Sequence, residues 1–268
     1  MDHPPVISVV AEITESVVAK PAAEWESVGL RAAARLAALG FDVSLVAKLP
    51  ANADAAEVRR ALLQAGVGTD HVTNAETGTA LPVDAMFTAR CCLLDLSDMG
   101  RFRFLVDLPV HTWPGARLAG CIDRIIEADA VPAREICQRI DAVAGSLPAA
   151  IELTGARGPN EALRVMQTWM LSGNLRLAVV SGADGEIFGV HRMGIWRTAP
   201  NGGPNEGKSA QSVLLAAVGA ALAERVAPEN ALRLAAAMYP VASDDRSLQE
   251  LNEVAGSIVL DLVPGDTS

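Results

Sequence analysis

Aromatic side chains are scarce. They make up 4% of the 268 residues, with one tyrosine, four tryptophans and five phenylalanines. The core must therefore be packed from Ala, Val, Leu and Ile, and Trp25, Trp113, Trp169 and Trp196 read as packing residues rather than a stacking platform for bases. Positive charge is also in deficit. A net charge of −10 argues against a nucleic-acid partner, because backbone phosphates would be repelled. The four cysteines (Cys91, Cys92, Cys121, Cys137) have no C-x-x-C spacing, and the adjacent pair lies in an apolar run, so they read as buried thiols. His71, His111 and His191 stand alone, without a partner at ligand spacing. The start, Met1 to Pro5, has neither a basic n-region nor an apolar h-region. The apolar stretch from Ser212 to Ala223 is too short to span a bilayer. These absences lead us to expect no membrane association and a reducing cytoplasm.

Hydrophobic residues make up half the chain, enough for the core of a single domain over residues 1–268. Val6–Ala11 and Phe41–Ala47 read as buried strands, and Glu24–Leu39 and Asp54–Ala65 as helices closed by Gly40 and Gly66. Val67–Val72 reads as a connection and Thr77–Ala80 as a turn. Arg103–Leu108 reads as a strand, with Asp107 at its carboxyl end. Ala133–Val143 and Glu161–Leu171 follow as helices, with Ala149–Leu153 open between strand and helix. Leu175–Val180 predicts a strand, and Glu186–Val190 with Gly194–Thr198 a hairpin. Helices are expected over Ala210–Arg225, Pro228–Met238 and Ser247–Ala255, then a last strand over Ser257–Val263. Alternation of strands and helices predicts an α/β protein with a mainly parallel sheet. The alanine-rich faces of Arg31–Ala38 and Ala216–Ala223 suit close helix approach, either in the core or at a homodimer interface.

The stretch from Asn201 to Ser209 (NGGPNEGKS) opens directly into a helix. Unpaired N–H groups and the positive dipole end make such a start an anion site. Gly202 to Ser209 also spells G-x-x-x-x-G-K-S, the pattern of a phosphate-binding P-loop, with Lys208 toward the β/γ oxygens and Ser209 toward Mg²⁺. A P-loop should follow at once from a buried strand, whereas Arg197–Asn201 intervenes here. A Gly/Pro/Asn-rich surface connection without a ligand is the plain alternative.

The order of these pieces resembles the ribokinase (PfkB-type) carbohydrate kinases. The resemblance is carried by Leu36–Ala47, by Asp54–Gly66 with Val67–Val72 and Thr77–Leu81, by Leu177–Gly185 (LAVVSGADG), and by Ser212–Ala237. It implies a central, mostly parallel sheet flanked by helices on both sides, with the family's lid reduced or absent. It also implies ATP-dependent phosphoryl transfer to a hydroxyl of a sugar or sugar-like substrate, with ATP and Mg²⁺ as cofactors. Laid on the family pattern, G-A-G-D falls on Asn205-Glu206-Gly207-Lys208, so a lysine stands where the family has its catalytic aspartate. A protonated lysine suits an anion and not a general base. Glu206 is the substitute carboxylate, and Glu206 and Lys208 are the catalytic candidates. Gly202, Asn205, Gly207, Lys208 and Ser209, with Gly182 and Asp184, are the phosphate- and nucleotide-binding candidates. The family's sugar-binding aspartate falls on Glu15, and its G-G-x-x-x-N motif on Glu26-Ser27 through Arg31, which makes Glu15 and Arg31 the substrate candidates. No residues are assigned to a metal. A relative that has lost catalysis and binds a nucleotide, small anion or partner protein is the alternative function.

Overall fold

Short continuous apolar runs build the centre of the molecule, because both faces of a parallel sheet are covered. The computed structural model describes residues 6–14, 16–49, 54–74, 83–96, 102, 104–107, 116–122, 130–199, 208–239 and 246–264. Its strands are β1 (Ile7–Val10), β2 (Val43–Lys48), β3 (Val67–Thr73), β4 (Cys91–Asp95), β5 (Arg117–Ile122), β6 (Ala142–Ser146), β7 (Leu177–Ser181), β8 (Ile187–His191), β9 (Gly194–Thr198) and β10 (Asp261–Leu262). They form one ten-stranded sheet in the order β10-β9-β8-β7-β6-β5-β4-β1-β2-β3. Pairing is parallel from β3 to β7 and antiparallel from β7 to β10. Among the described residues there is no second sheet.

The helices are α1 (Ser16–Ala19), α2 (Val28–Ala38), α3 (Ala55–Gln64), α4 (Val83–Met86), α5 (Phe104–Asp107), α6 (Ala130–Arg139), α7 (Leu147–Thr154), α8 (Pro159–Ser172), α9 (Lys208–Ala223), α10 (Pro228–Met238) and α11 (Leu248–Ser257). Helices α1–α3 and α9–α11 cover one face, and α4–α8 the other. Along β4, Cys91 and Leu93 enter the first core and Cys92 and Leu94 the second, and β6 and β7 alternate in the same way. All four cysteines are buried thiols outside any disulfide, as their setting predicts. No helix among the described residues is long and apolar enough to cross a membrane.

Several expectations are corrected. Phe104–Asp107 is a single helical turn packed on α6, not part of a strand, and Asp107 is exposed. A short apolar run fits a buried strand or a buried turn equally well, and here the place beside β4 is taken by β5. Val67–Thr73 is an edge strand rather than a connection. The helix expected to reach Val143 stops at Arg139, and Val143 belongs to β6. Strands β5 (RLAGCI) and β6 (AVAGS) escaped notice because alanine and glycine carry little strand signal. Their glycines are there for closeness: a Cβ on Gly145 would lie 2.4 Å from the Ile122 carbonyl oxygen. Ala149–Leu153 lies in α7. At the carboxyl end, α11 runs to Ser257, so only Asp261–Leu262 of the expected last strand pairs. The first long helix begins at Val28, after a separate 3₁₀ turn at Ala22–Glu24. The turn over 77–80 lies outside the described residues.

Candidate active site at the sheet's carboxyl edge

Strand β1 has β2 on one side and β4 on the other, so the chain reverses its direction of winding between β1 and β4. Open α/β sheets bind ligands in the crevice at the carboxyl ends of the strands where this reversal occurs. The residue ending β4 there is Asp95, which is 6% exposed. Its Oδ2 accepts from Ser27 Oγ at 2.8 Å and from the Gly29 backbone N–H at 2.9 Å. Ser27 is also the N-cap of α2, its Oγ accepting from the Leu30 N–H. One hydroxyl thus caps the helix and ties it to the carboxylate of the central strand.

Close approach at this point depends on Gly29. A Cβ there would meet the Ala11 Cβ at 2.6 Å and the Asp95 Cβ at 2.9 Å. The start of α2 is wedged between the carboxyl ends of β1 and β4. One strand further, Asp95 is in register with Cys121 of β5. Cys121 Sγ donates to the Gln211 carbonyl oxygen in the first turn of α9, at 3.9 Å. The amino-terminal ends of α2 and α9, which pack on each other, therefore meet the carboxyl ends of neighbouring strands. Two positive helix ends and one buried carboxylate converge on one edge, where they can hold an anion and a hydroxyl side by side.

Of the residues predicted from sequence, Lys208 and Ser209 are the first two of α9, which begins two residues before the expected Ala210 and ends at Ala223 rather than Arg225. Gly202, Asn205, Glu206 and Gly207 lie outside the described residues, as does Glu15. Gln211 is 6% exposed, and its side-chain Oε1 has no hydrogen-bond partner among the described residues. Gly182 and Asp184 lie in the turn between β7 and β8, where the Gly182 N–H donates to the Glu186 carbonyl at 2.8 Å. Both line a cavity of about 450 Å³ with Leu147, Asn160 and Arg197, beside the carboxyl ends of β6 and β7. Arg31 is half-buried and its Nε donates to the Trp25 carbonyl oxygen. Burial lowers its pKa from the usual guanidinium value, against the opposing pull of Glu24 and Glu26.

The P-loop letters do not sit in P-loop surroundings. The strand before them, β9, runs antiparallel to both of its neighbours. Helix α9 packs across β4–β7, at the centre of the sheet, whereas β9 lies near its end.

Asp95 was missed in the sequence, although Cys91-Cys92-Leu93-Leu94-Asp95 is an apolar run closed by a carboxylate. The same logic, a carboxylate at the end of a buried strand, pointed to Asp107. Only the strand order shows which of the two runs lies beside the reversal point.

No family model and no curated protein sequence matches the chain. Solved structures do. Phosphofructokinase-2 from Escherichia coli superposes with a TM-score of 0.67 at 15% identity, over 94% of this chain and 98% of that one. A carbohydrate kinase from Agrobacterium tumefaciens gives 0.64 at 17% identity, over 96% and 99%. A PfkB protein from a Polaromonas species gives 0.67 at 17% identity, over 92% and 99%. At this distance the likeness speaks for the backbone and not for the reaction: the chain has the α/β fold of the PfkB-type carbohydrate kinases.

Proposed function

We propose that the protein transfers a phosphoryl group from ATP to a hydroxyl of a sugar-like small molecule. The observation that carries this reading is the buried Ser27–Asp95 pair at the reversal point of the sheet, one strand from the start of α9. The first-turn N–H groups of α9, with Lys208 and Ser209, suit the phosphates. Gln211, whose Oε1 in the same turn is unpartnered among the described residues, is a buried amide that a polar ligand would satisfy. Gly182 and Asp184 line the neighbouring cavity, which suits the rest of a nucleotide. Asp95 and Ser27 orient the acceptor hydroxyl. ATP, when bound with Mg²⁺, would supply the phosphoryl group and neutralise its charge. Glu206 is the carboxylate assigned to take the hydroxyl proton.

The start of α9 at Lys208 favours a second reading, in which the fold binds a nucleotide without turning it over. One set of measurements separates the two. ATP binding is followed by calorimetry, and ADP release is followed over a panel of sugars, polyols and sugar acids. The kinase reading expects turnover that falls roughly 100-fold in Asp95→Asn and in Glu206→Gln, the cost of a misplaced reactant or missing base. ATP binding that weakens in Lys208→Ala, with no turnover on any acceptor, establishes the second reading. No ATP binding at millimolar concentration ends both. Size-exclusion chromatography with light scattering tests the homodimer.

A further inference from the structure

A second cavity among the described residues lies at the other edge of the sheet. It encloses about 590 Å³ where β5, β6 and β7 begin, beside the carboxyl end of α9. That volume is in the range of small-molecule sites. In a chain of net charge −10, four arginines line it: Arg117, Arg176, Arg192 and Arg225. The acidic residue in its wall is Asp141, which accepts from the Leu118 N–H and lies 3.7 Å from Arg176 Nε. Among the described residues, the side chains of Arg117, Arg192 and Arg225 make no hydrogen bond or ion pair. Leu222, Val226 and Pro228 supply an apolar wall.

A second, independent observation concerns the backbone. Arg225 has φ +57°, and among the described residues it is the one non-glycine residue with a positive φ. It closes α9 in a Schellman turn, in which the Val226 N–H donates to the Ala221 carbonyl and the Arg225 N–H to the Leu222 carbonyl. That position favours glycine, because a β-carbon is strained in the left-handed region. This left-handed arginine is one of the residues lining the cavity. The adjacent helix end is negative and repels anions, so the arginines alone must supply the attraction.

We propose that this cavity is a binding site for a small molecule carrying a diphosphate group, separate from the carboxyl-edge site. Three unpaired guanidiniums match the charge and the forked geometry of linked phosphates, and the apolar wall suits an organic group attached to them. Helix α9, about 24 Å long by its 16 residues, joins the two sites, with Lys208 at one end and Arg225 beyond the other.

The test is calorimetric titration of the full chain with inorganic pyrophosphate, without metal, for wild type, Arg225→Gly, Arg117→Gln and Lys208→Ala. Arg225→Gly is the informative variant because it relieves the strained turn and cannot fail by unfolding the helix end. The expected result is binding to wild type and Lys208→Ala alike, weakened about tenfold or more in Arg225→Gly and Arg117→Gln. Arg225→Gly should also melt at the same temperature or higher. Unchanged affinity in both arginine variants overturns the proposal, as does no binding at millimolar pyrophosphate, or loss of binding in Lys208→Ala alone. Citrate binding as tightly as pyrophosphate also overturns it, by replacing diphosphate with any polyanion. ADP titrated into Lys208→Ala separates the sources: tighter binding than pyrophosphate assigns a nucleoside diphosphate, and equal binding assigns the free anion.

Discussion

At the scale of single residues, the site rests on Ser27, Gly29 and Asp95. The contacts of Gly29 are with two β-carbons, Ala11 and Asp95, which move only with their backbones. Gly29→Ala should therefore destabilise the protein by about 1–3 kcal/mol. It should also push α2 off Asp95, so any turnover should fall with it. A denaturant titration beside an activity assay checks both. The cysteines give a pH dependence. Burial pushes the Cys137 thiol up to about 12 and raises Cys91 and Cys92 as well. Below the ordinary thiol value of 9.0 these groups are neutral in folded and unfolded chains alike. Above it the unfolded chain loses protons that the folded chain keeps, so stability must fall as pH rises toward 12. The slope is about 1.4 kcal/mol per pH unit for each such thiol. Urea midpoints at about pH 8 and about pH 10 test this, with Cys137→Ala expected to flatten the decline. At this scale the sequence revealed the thiols through their apolar neighbours. It did not reveal Asp95, because nothing local distinguishes an aspartate that ends a central strand from one that ends a surface turn.

Helices and strands differ in how openly the chain declares them. Helix α10 was legible to the residue, since Pro228 opens it and its apolar face repeats at helical spacing. Strands β5 and β6 were not, because their residues are chosen for closeness to neighbours rather than for strand propensity. Two glycines show how context sets the cost of a methyl group. In β6, a Cβ on Gly145 meets the Ile122 carbonyl oxygen, which is fixed in the β5 ladder. In α9, a Cβ on Gly219 meets the tip of Leu93 at 2.7 Å, and a leucine can change rotamer. Gly145→Ala should therefore cost about 1–3 kcal/mol or more. Gly219→Ala should cost less, because alanine regains about 1 kcal/mol of helix propensity. Thermal melts of the two variants should separate clearly, and equal losses would contradict this account of the packing. The anion site proposed at Arg225 belongs to this scale too: helix periodicity predicted where α9 runs, while only the backbone shows that it ends in a turn suited to glycine and occupied by arginine.

For the whole molecule, one sheet with a core on each face predicts a single cooperative unfolding transition. Differential scanning calorimetry should show one peak, and two resolved peaks would mean that the chain folds as two units. The sequence by itself determined the α/β class, the parallel sheet and the family likeness of the scaffold, because strand–helix alternation and buried apolar runs are local patterns. It also placed α9 to within two residues of where it runs, since helix periodicity is written in neighbouring residues. Strand order is not local. Which strands flank β1, and therefore which carboxylate stands at the reversal point, depends on long-range pairing, and this moved the weight from Asp107 to Asp95. The same folding gathered Arg117, Arg176, Arg192 and Arg225 around one cavity from four places spread over more than a hundred residues of the chain. Charges so far apart in sequence carry no shared pattern, and only the folded sheet brings them together.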